Sequence, residues 1–241
     1  MGFYEQISQY YDSIFPIGEE QIEFLKEAAG APPKAVLDIA CGTGGYSLEL
    51  AGQGYAVTAA DLDAEMIRQL RLKAEKGRYS IESIQSDMLE LEGHISDKFD
   101  MVFCIGNSVV HLNSLLEIRS FIFSTRKYLK AGGKLVIQII NFDRILLRDI
   151  KGLPSIADEK TGLYFERSYF RNKQENALSF KTVLTVDGKS FENEIPLYPL
   201  TEDELVQAVR DAGFETIKPY GDFKGSAFDK CNSYMLVICA E

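Results

Sequence analysis

No two of the four cysteines, Cys41, Cys104, Cys231 and Cys239, form a C-x-x-C pair, and neither histidine of the 241-residue chain stands at zinc-ligand spacing from any of them. Three of the four sit inside apolar, strand-like runs. They read as reduced, buried thiols of a cytoplasmic protein, so neither a metal site nor a disulfide scaffold is expected. Positive charge is also in short supply: 26 Lys and Arg against 36 Asp and Glu leave a formal net charge of −10. A surface that tracks phosphates needs the opposite sign, which argues against nucleic-acid partners, although backbone amides can still hold a small anion locally. No apolar run approaches the ~20 residues of a membrane span. The opening Met-Gly-Phe-Tyr-Glu-Gln lacks the charged and apolar regions of a signal peptide, and Gln6 stands where a myristoylation signal takes Ser or Thr. What is present is an ordinary globular composition, 46% hydrophobic and 26% charged.

Short apolar runs alternate with helix-length amphipathic segments. Strands are predicted at 34–40, 55–61, 80–87, 99–105 and 134–140, with helices from Tyr46, over 64–76 and over 114–129 between them. Lys130-Ala131-Gly132-Gly133 reads as a glycine cap closing the last of these helices. This alternation implies βαβ units, a parallel doubly wound sheet and helices on both faces. Residues 142–200 break the pattern with extended segments at 163–170, 177–186 and 190–197, and Val186-Asp187-Gly188-Lys189 carries a hairpin signal. Alternation resumes with a helix over 201–212 opened by a Thr201/Glu204 capping box, then strands at 214–220 and 234–240. Residues 1–141 and 201–241 are thus expected to form the core, with lid helices in 1–30 and an inserted antiparallel lid over 142–200.

Asp38-Ile39-Ala40-Cys41-Gly42-Thr43-Gly44-Gly45 follows a strand and opens a helix, where an open α/β sheet binds ligands. Glycines there let the backbone approach a ligand without a Cβ in the way. Asp61 ends the second strand 19 residues after Gly42, placed to accept hydrogen bonds from a ribose, and Asp87 is read at the end of the third. Ser47 stands where a dinucleotide fingerprint needs its third glycine, which disfavours a nicotinamide oxidoreductase, and no Gly-Lys-Ser/Thr marks a P-loop.

These residues resemble the class I S-adenosylmethionine-dependent methyltransferases. Asp38-x-x-Cys41-Gly42-Thr43-Gly44 looks like the family's first motif; Asp61, Asp87-Met88 and Phe99-Asp100-Met101-Val102 look like later ones. The resemblance implies S-adenosyl-L-methionine as cofactor and strand order 3-2-1-4-5-7-6 with the last strand antiparallel. It implies that the loop Ala40–Gly44 wraps the methionine portion, with Asp61 on the ribose and Leu62 against the adenine. Asp87 would meet the adenine amino group and Met88 would pack on the ring. Asp38, Met66, Ser86, Cys104 and Ile105 join the cofactor set, together with Tyr11 of the aromatic Phe3-Tyr4…Tyr10-Tyr11 lid pattern. A cation for the cofactor carboxylate is not evident in the N-terminal segment.

Ile105-Gly106-Asn107-Ser108-x-x-His111-Leu112 and Ile140-Asn141-Phe142-Asp143 are similar to stretches of glycine N-methyltransferase-like enzymes. That likeness implies a small-molecule acceptor methylated at nitrogen, with Asn107 and His111 at the transferred methyl and Asn107 and Asn141 on the substrate; His111 as a helix cap or solvent contact is the other reading. Methylation at oxygen or carbon, or cofactor binding without turnover, are the alternatives. In the inserted segment Tyr164, Glu166, Arg167 and Tyr169 alternate with apolar neighbours, so several share a face, and Arg167 reads either as a bidentate partner for a substrate carboxylate or as half of a surface ion pair with a nearby Glu. No Asn-Pro-Pro-Tyr-type motif of a base-flipping enzyme follows strand four. The expected state is a monomer or homodimer.

Overall fold

The computed structural model describes residues 10–159, 161–172 and 177–241. Five parallel strands, β1 (Ala35–Ile39), β2 (Ala56–Asp61), β3 (Ile81–Gln85), β4 (Phe99–Cys104) and β5 (Leu129–Ile140), are joined by β11 (Met235–Ala240), antiparallel to β5, and by the edge strand β10 (Ile217–Tyr220). The order β3-β2-β1-β4-β5-β11-β10 is the one the family resemblance implies. Successive strand residues point to opposite faces, and here both faces are buried. Leu37, Cys104 and Ile137 enter one hydrophobic cluster, while their neighbours Val36, Phe103 and Val136 enter another. This two-sided burial is why the central strands read as unbroken apolar runs.

The helices are α1 (Tyr11–Ile14), α2 (Glu19–Ala29), α3 (Gly45–Gly52), α4 (Ala64–Gly77), α5 (Leu115–Tyr128), α6 (Phe142–Arg148) and α7 (Glu202–Asp211). The expected capping box is formed at α7, with both the Thr201 and the Glu204 halves in place. Two readings are corrected. Lys130-Ala131-Gly132-Gly133 is not a helix cap but part of β5: Leu129 already pairs with Phe99, and the strand bulges before Lys134 takes up pairing with Met101. A Cβ on Gly133 would lie 3.0 Å from the Phe99 carbonyl oxygen, so glycine serves close strand approach there. Strand β3 stops at Gln85, and Asp87 lies beyond it in a turn, accepting from the Leu89 amide at 2.8 Å. Helix α6 follows Asn141 directly, ahead of the extended segments.

A second, wholly antiparallel sheet has the order β6 (Gly152–Asp158), β7 (Leu163–Asn172), β8 (Ala177–Val186), β9 (Lys189–Leu197). Asp187 (φ 52°) and Gly188 (φ 71°) form the expected two-residue hairpin loop, in which both central residues are left-handed. One end of this sheet packs on the main core through Tyr169, Leu178 and Leu197. The other end, with Leu163, Phe165, Leu184 and Val186, holds Ile14 of α1 in a separate cluster. Phe15 meets Phe165 edge-on at 5.9 Å and Tyr11 at 5.1 Å. Helix α1 and the second sheet therefore form one continuous roof. The aromatic pair Phe3-Tyr4 lies outside the described residues. Among the described residues, no helix is long and apolar enough to cross a membrane.

Candidate active site

Between the ends of β1 and β2 and the roof lies a cavity of about 1090 Å³. Its floor is the glycine loop. Ala40 (φ 60°) and Gly42 (φ 56°) are both left-handed. For alanine that conformation costs roughly 1–2 kcal/mol, and such strain is retained where the surroundings over-determine it. Here they do: the Cys41 amide donates to the Ala60 carbonyl at 3.0 Å, and the Gly42 amide to Asp61 Oδ2 at 2.8 Å. The other Asp61 oxygen accepts from the Asp63 amide at 2.9 Å. Tyr11 closes over the loop so tightly that a Cβ on Gly42 would stand 2.9 Å from its hydroxyl.

Tyr11, Asp38, Ala40, Cys41, Gly42 and Asp61 line this cavity together, and Leu62, Met66, Met88, Ile105 and His111 complete the wall. The remaining expected residues stand behind it. Gly44 is the left-handed N-cap of α3, packed on Leu70. Cys104 is wholly buried in the core, and Ser86 and Asp87 sit in the turn after β3. Asn107 accepts from the Ile140 amide at 2.8 Å, tying the loop after β4 to β5. Asn141 is 1% exposed; it donates to the Asp229, Lys230 and Ser233 carbonyls and caps α6 through the Arg144 amide, so its side chain pins the fold. Arg167 is in the roof, donating to the Pro154 carbonyl at 2.5 Å.

Two features of the wall have no sequence motif. Gln138 rises from β5 into the cavity and accepts from the Gly106 amide at 2.7 Å, shaping the turn that leads to His111. Lys73, on α4, pairs with the Asp12 carboxylate of α1, to which Thr43 also donates at 2.5 Å. The pairing brings a cation beside the glycine loop, 61 residues along the chain from Asp12.

Residues 36–133 match the family model described as a methyltransferase domain. The chain is 30% identical over 216 residues to a glycine/sarcosine N-methyltransferase from Aphanothece halophytica, covering 86% of this chain and 75% of the relative. The chain is a class I S-adenosylmethionine-dependent methyltransferase. A glycine N-methyltransferase from Rattus norvegicus is 33% identical over 207 residues, 81% of this chain and 64% of that one. In fold, the methyltransferase superimposes on a crystal structure of an S-adenosylmethionine-dependent methyltransferase from Clostridium acetobutylicum with a TM-score of 0.82 at 17% identity, covering 100% and 99% of the two chains.

The cavity fits that cofactor. A carboxylate offers about four lone-pair sites; the two backbone amides occupy two on Asp61 and leave the others for a sugar's hydroxyls. Gly42 adds no side chain beneath Tyr11, so a ligand sharing the cavity with that ring meets bare backbone, and Leu62, Met66 and Met88 supply apolar surface for a flat ring. Asp38 is the most perturbed acid. Burial, opposed by the 2.6 Å hydrogen bond from Ser47 and reinforced by the charge of Asp61, lifts it from 3.8 to about 7. Burial also raises Asp61, against the backbone donors that hold it.

Because the folded pKa of Asp38 is raised, its protonated form favours the fold. Its stabilising contribution is complete below the unfolded pKa near 4 and is lost as pH rises through about 7. At about 1.4 kcal/mol for each tenfold change in proton affinity, the loss is about 4 kcal/mol. Relative to Asp38→Asn, the protein should therefore lose stability between pH 4 and pH 7, read as the urea midpoint. Parallel pH profiles for the two proteins would remove this assignment.

Proposed function

We propose that the methyltransferase methylates the nitrogen of a small amine. The observation that carries this reading is His111. Its imidazole lines the cavity at the end of a 3-10 turn, Ser108–His111, and burial lowers its pKa. Protonation therefore belongs to acid pH, and across the neutral range the ring is free to accept a proton.

When bound, S-adenosylmethionine supplies a methyl group already activated on sulfur, so the protein's own contribution is proximity, alignment and exclusion of water. Tyr11 and Phe15 cover the loop from the roof side. Asp61 and the Gly42 amide hold one end of the cavity rigid. His111 takes the proton that an ammonium must lose before its lone pair can attack; a hydroxyl would need a stronger base than a neutral imidazole. The relatives named above are N-methyltransferases of glycine and sarcosine, which supports the same acceptor atom here.

The test is turnover with S-adenosylmethionine against parallel panels of small amines, phenols and carbon acids, following S-adenosylhomocysteine release and product mass. Methylated amines are expected; turnover confined to the oxygen or carbon acceptors would overturn the reading. With an amine acceptor, His111→Gln is expected to lower kcat about ten- to a hundredfold and to move the rise of kcat/KM to higher pH, where solvent removes the proton. An unchanged profile would take His111 out of the proton path.

A further inference from the structure

The inner face of the roof is not uniformly apolar. Three rows run across β7, β8 and β9. Phe165, Leu184 and Phe191 form the row over α1, and Tyr169, Phe180 and Ile195 the row over the main core. Between them lies a polar row, Arg167 opposite Thr182 opposite Asn193. A polar row enclosed between two apolar ones would ordinarily pair with itself or with the structure beneath it. This one does not. Thr182 and Tyr169 are each 3% exposed, yet Thr182 Oγ1 and Tyr169 Oη have no hydrogen-bond partner, and the buried Nε of Arg167 has none either.

A fourth unpaired atom belongs to the same neighbourhood. Arg144, on α6, lies with its guanidinium 5.6 Å from the centre of the Tyr234 ring, and its buried Nη1 is also without a partner. Phe142, two residues before Arg144 on the same helix, meets the Tyr169 ring at 6.4 Å, so α6 packs against this strip. Among the described residues, no carboxylate pairs with Arg144 or Arg167, in a chain whose net charge is −10. Arg167 is held in place by the Pro154 carbonyl and by the Phe165 ring, 6.0 Å away. Guanidinium nitrogens can only donate, and hydroxyls can donate. The complement to these four atoms is an acceptor bearing negative charge.

We propose that Arg167, Thr182, Tyr169 and Arg144 form the subsite for an oxyanion, a carboxylate or phosphate, carried by the methyl acceptor. The strip lies between the α1 end of the roof, which covers the glycine loop, and the end tied down by the Tyr198 amide on the Val110 carbonyl at 2.9 Å, next to His111. The assignment rests on the reading of the cavity as an amine methylation site, but it is tested by binding without turnover.

The protein saturated with S-adenosylhomocysteine is titrated, by calorimetry at constant ionic strength, with glycine, O-phosphoethanolamine and ethanolamine. Each probe carries an amine; only the first two carry an oxyanion, and the stronger of these identifies carboxylate or phosphate. The expected result is binding of one anionic probe at least tenfold tighter than ethanolamine, with that preference abolished in Arg167→Gln and reduced in Thr182→Val. Arg167→Lys, which keeps the charge but not the fork of donors, should retain part of it. Equal affinity for ethanolamine, or a preference undiminished in Arg167→Gln, overturns the proposal. Each variant's S-adenosylhomocysteine affinity reports whether it is folded. Failure of the amine panel under turnover, with anion preference intact, would overturn the nitrogen reading alone.

Discussion

Gly42→Val is expected to weaken S-adenosylhomocysteine binding at least a hundredfold while leaving the melting temperature within a few degrees of the parent. Two effects are separable. Gly42 is left-handed at φ 56°, where a side chain costs roughly 1–2 kcal/mol and a β-branched one sits at the upper end. The new Cβ would also stand 2.9–3.0 Å from the hydroxyl and ring of Tyr11, so the tyrosine must leave its place over the loop. Valine's methyl groups would then occupy the face that the ligand needs bare. The backbone strain burdens free and bound protein alike and lowers only the melting temperature; at about 1.4 kcal/mol per tenfold, a loss of about 3 kcal/mol at the occupied face accounts for two orders of magnitude. The double variant Tyr11→Ala, Gly42→Val removes the clash but not the backbone strain or the occupied face, and should remain weak. Recovery to parental affinity in that background would show that the lid, not the loop, sets cofactor binding.

Asp61→Ala should have an effect of similar size with a different signature, because it damages stability and affinity together. The carboxylate is the acceptor for the Gly42 and Asp63 amides. Alanine leaves both donors unpaired, at about 1–3 kcal/mol each where water cannot reach them. It also removes the acceptors offered to a sugar's hydroxyls. A lower urea midpoint and a hundred- to thousandfold weaker cofactor are expected. Asp61→Asn, which keeps one acceptor oxygen, should fall between the two. If alanine lowered stability but left cofactor affinity within threefold, the acid would be a loop anchor and nothing more.

The sheet was legible in the sequence because its physics is local and repetitive. Runs such as Val36–Ile39 and Leu135–Ile140 are buried on both sides. The loop was legible because left-handed backbone and close approach both demand glycine. Other parts lacked such a signature. Lys130-Ala131-Gly132-Gly133 carried a glycine signal that served a bulge instead of a cap, two uses that a sequence writes identically. Strand β6 contains Gly152 and Pro154 and alternates irregularly at a sheet edge, so no strand is predicted there. Gln138 in an apolar strand and Lys73 on an amphipathic helix belong to the cavity only through pairings across the fold. The polar row of the roof depends on cross-strand register, which sequence spacing does not reveal.

Ile14 and its partners Leu163, Phe165, Leu184 and Val186 form a cluster that shares no member with either core of the main sheet. Its attachment is therefore a small cooperative unit with its own opening free energy, well below that of global unfolding. Amides near Leu163 and Leu184 should exchange with solvent deuterium sooner than those of β4 and β5. If the helix and the sheet end part in one event, the Ile14 amide should exchange in step with those of Leu163 and Leu184, and exchange of Ile14 on its own would separate the two.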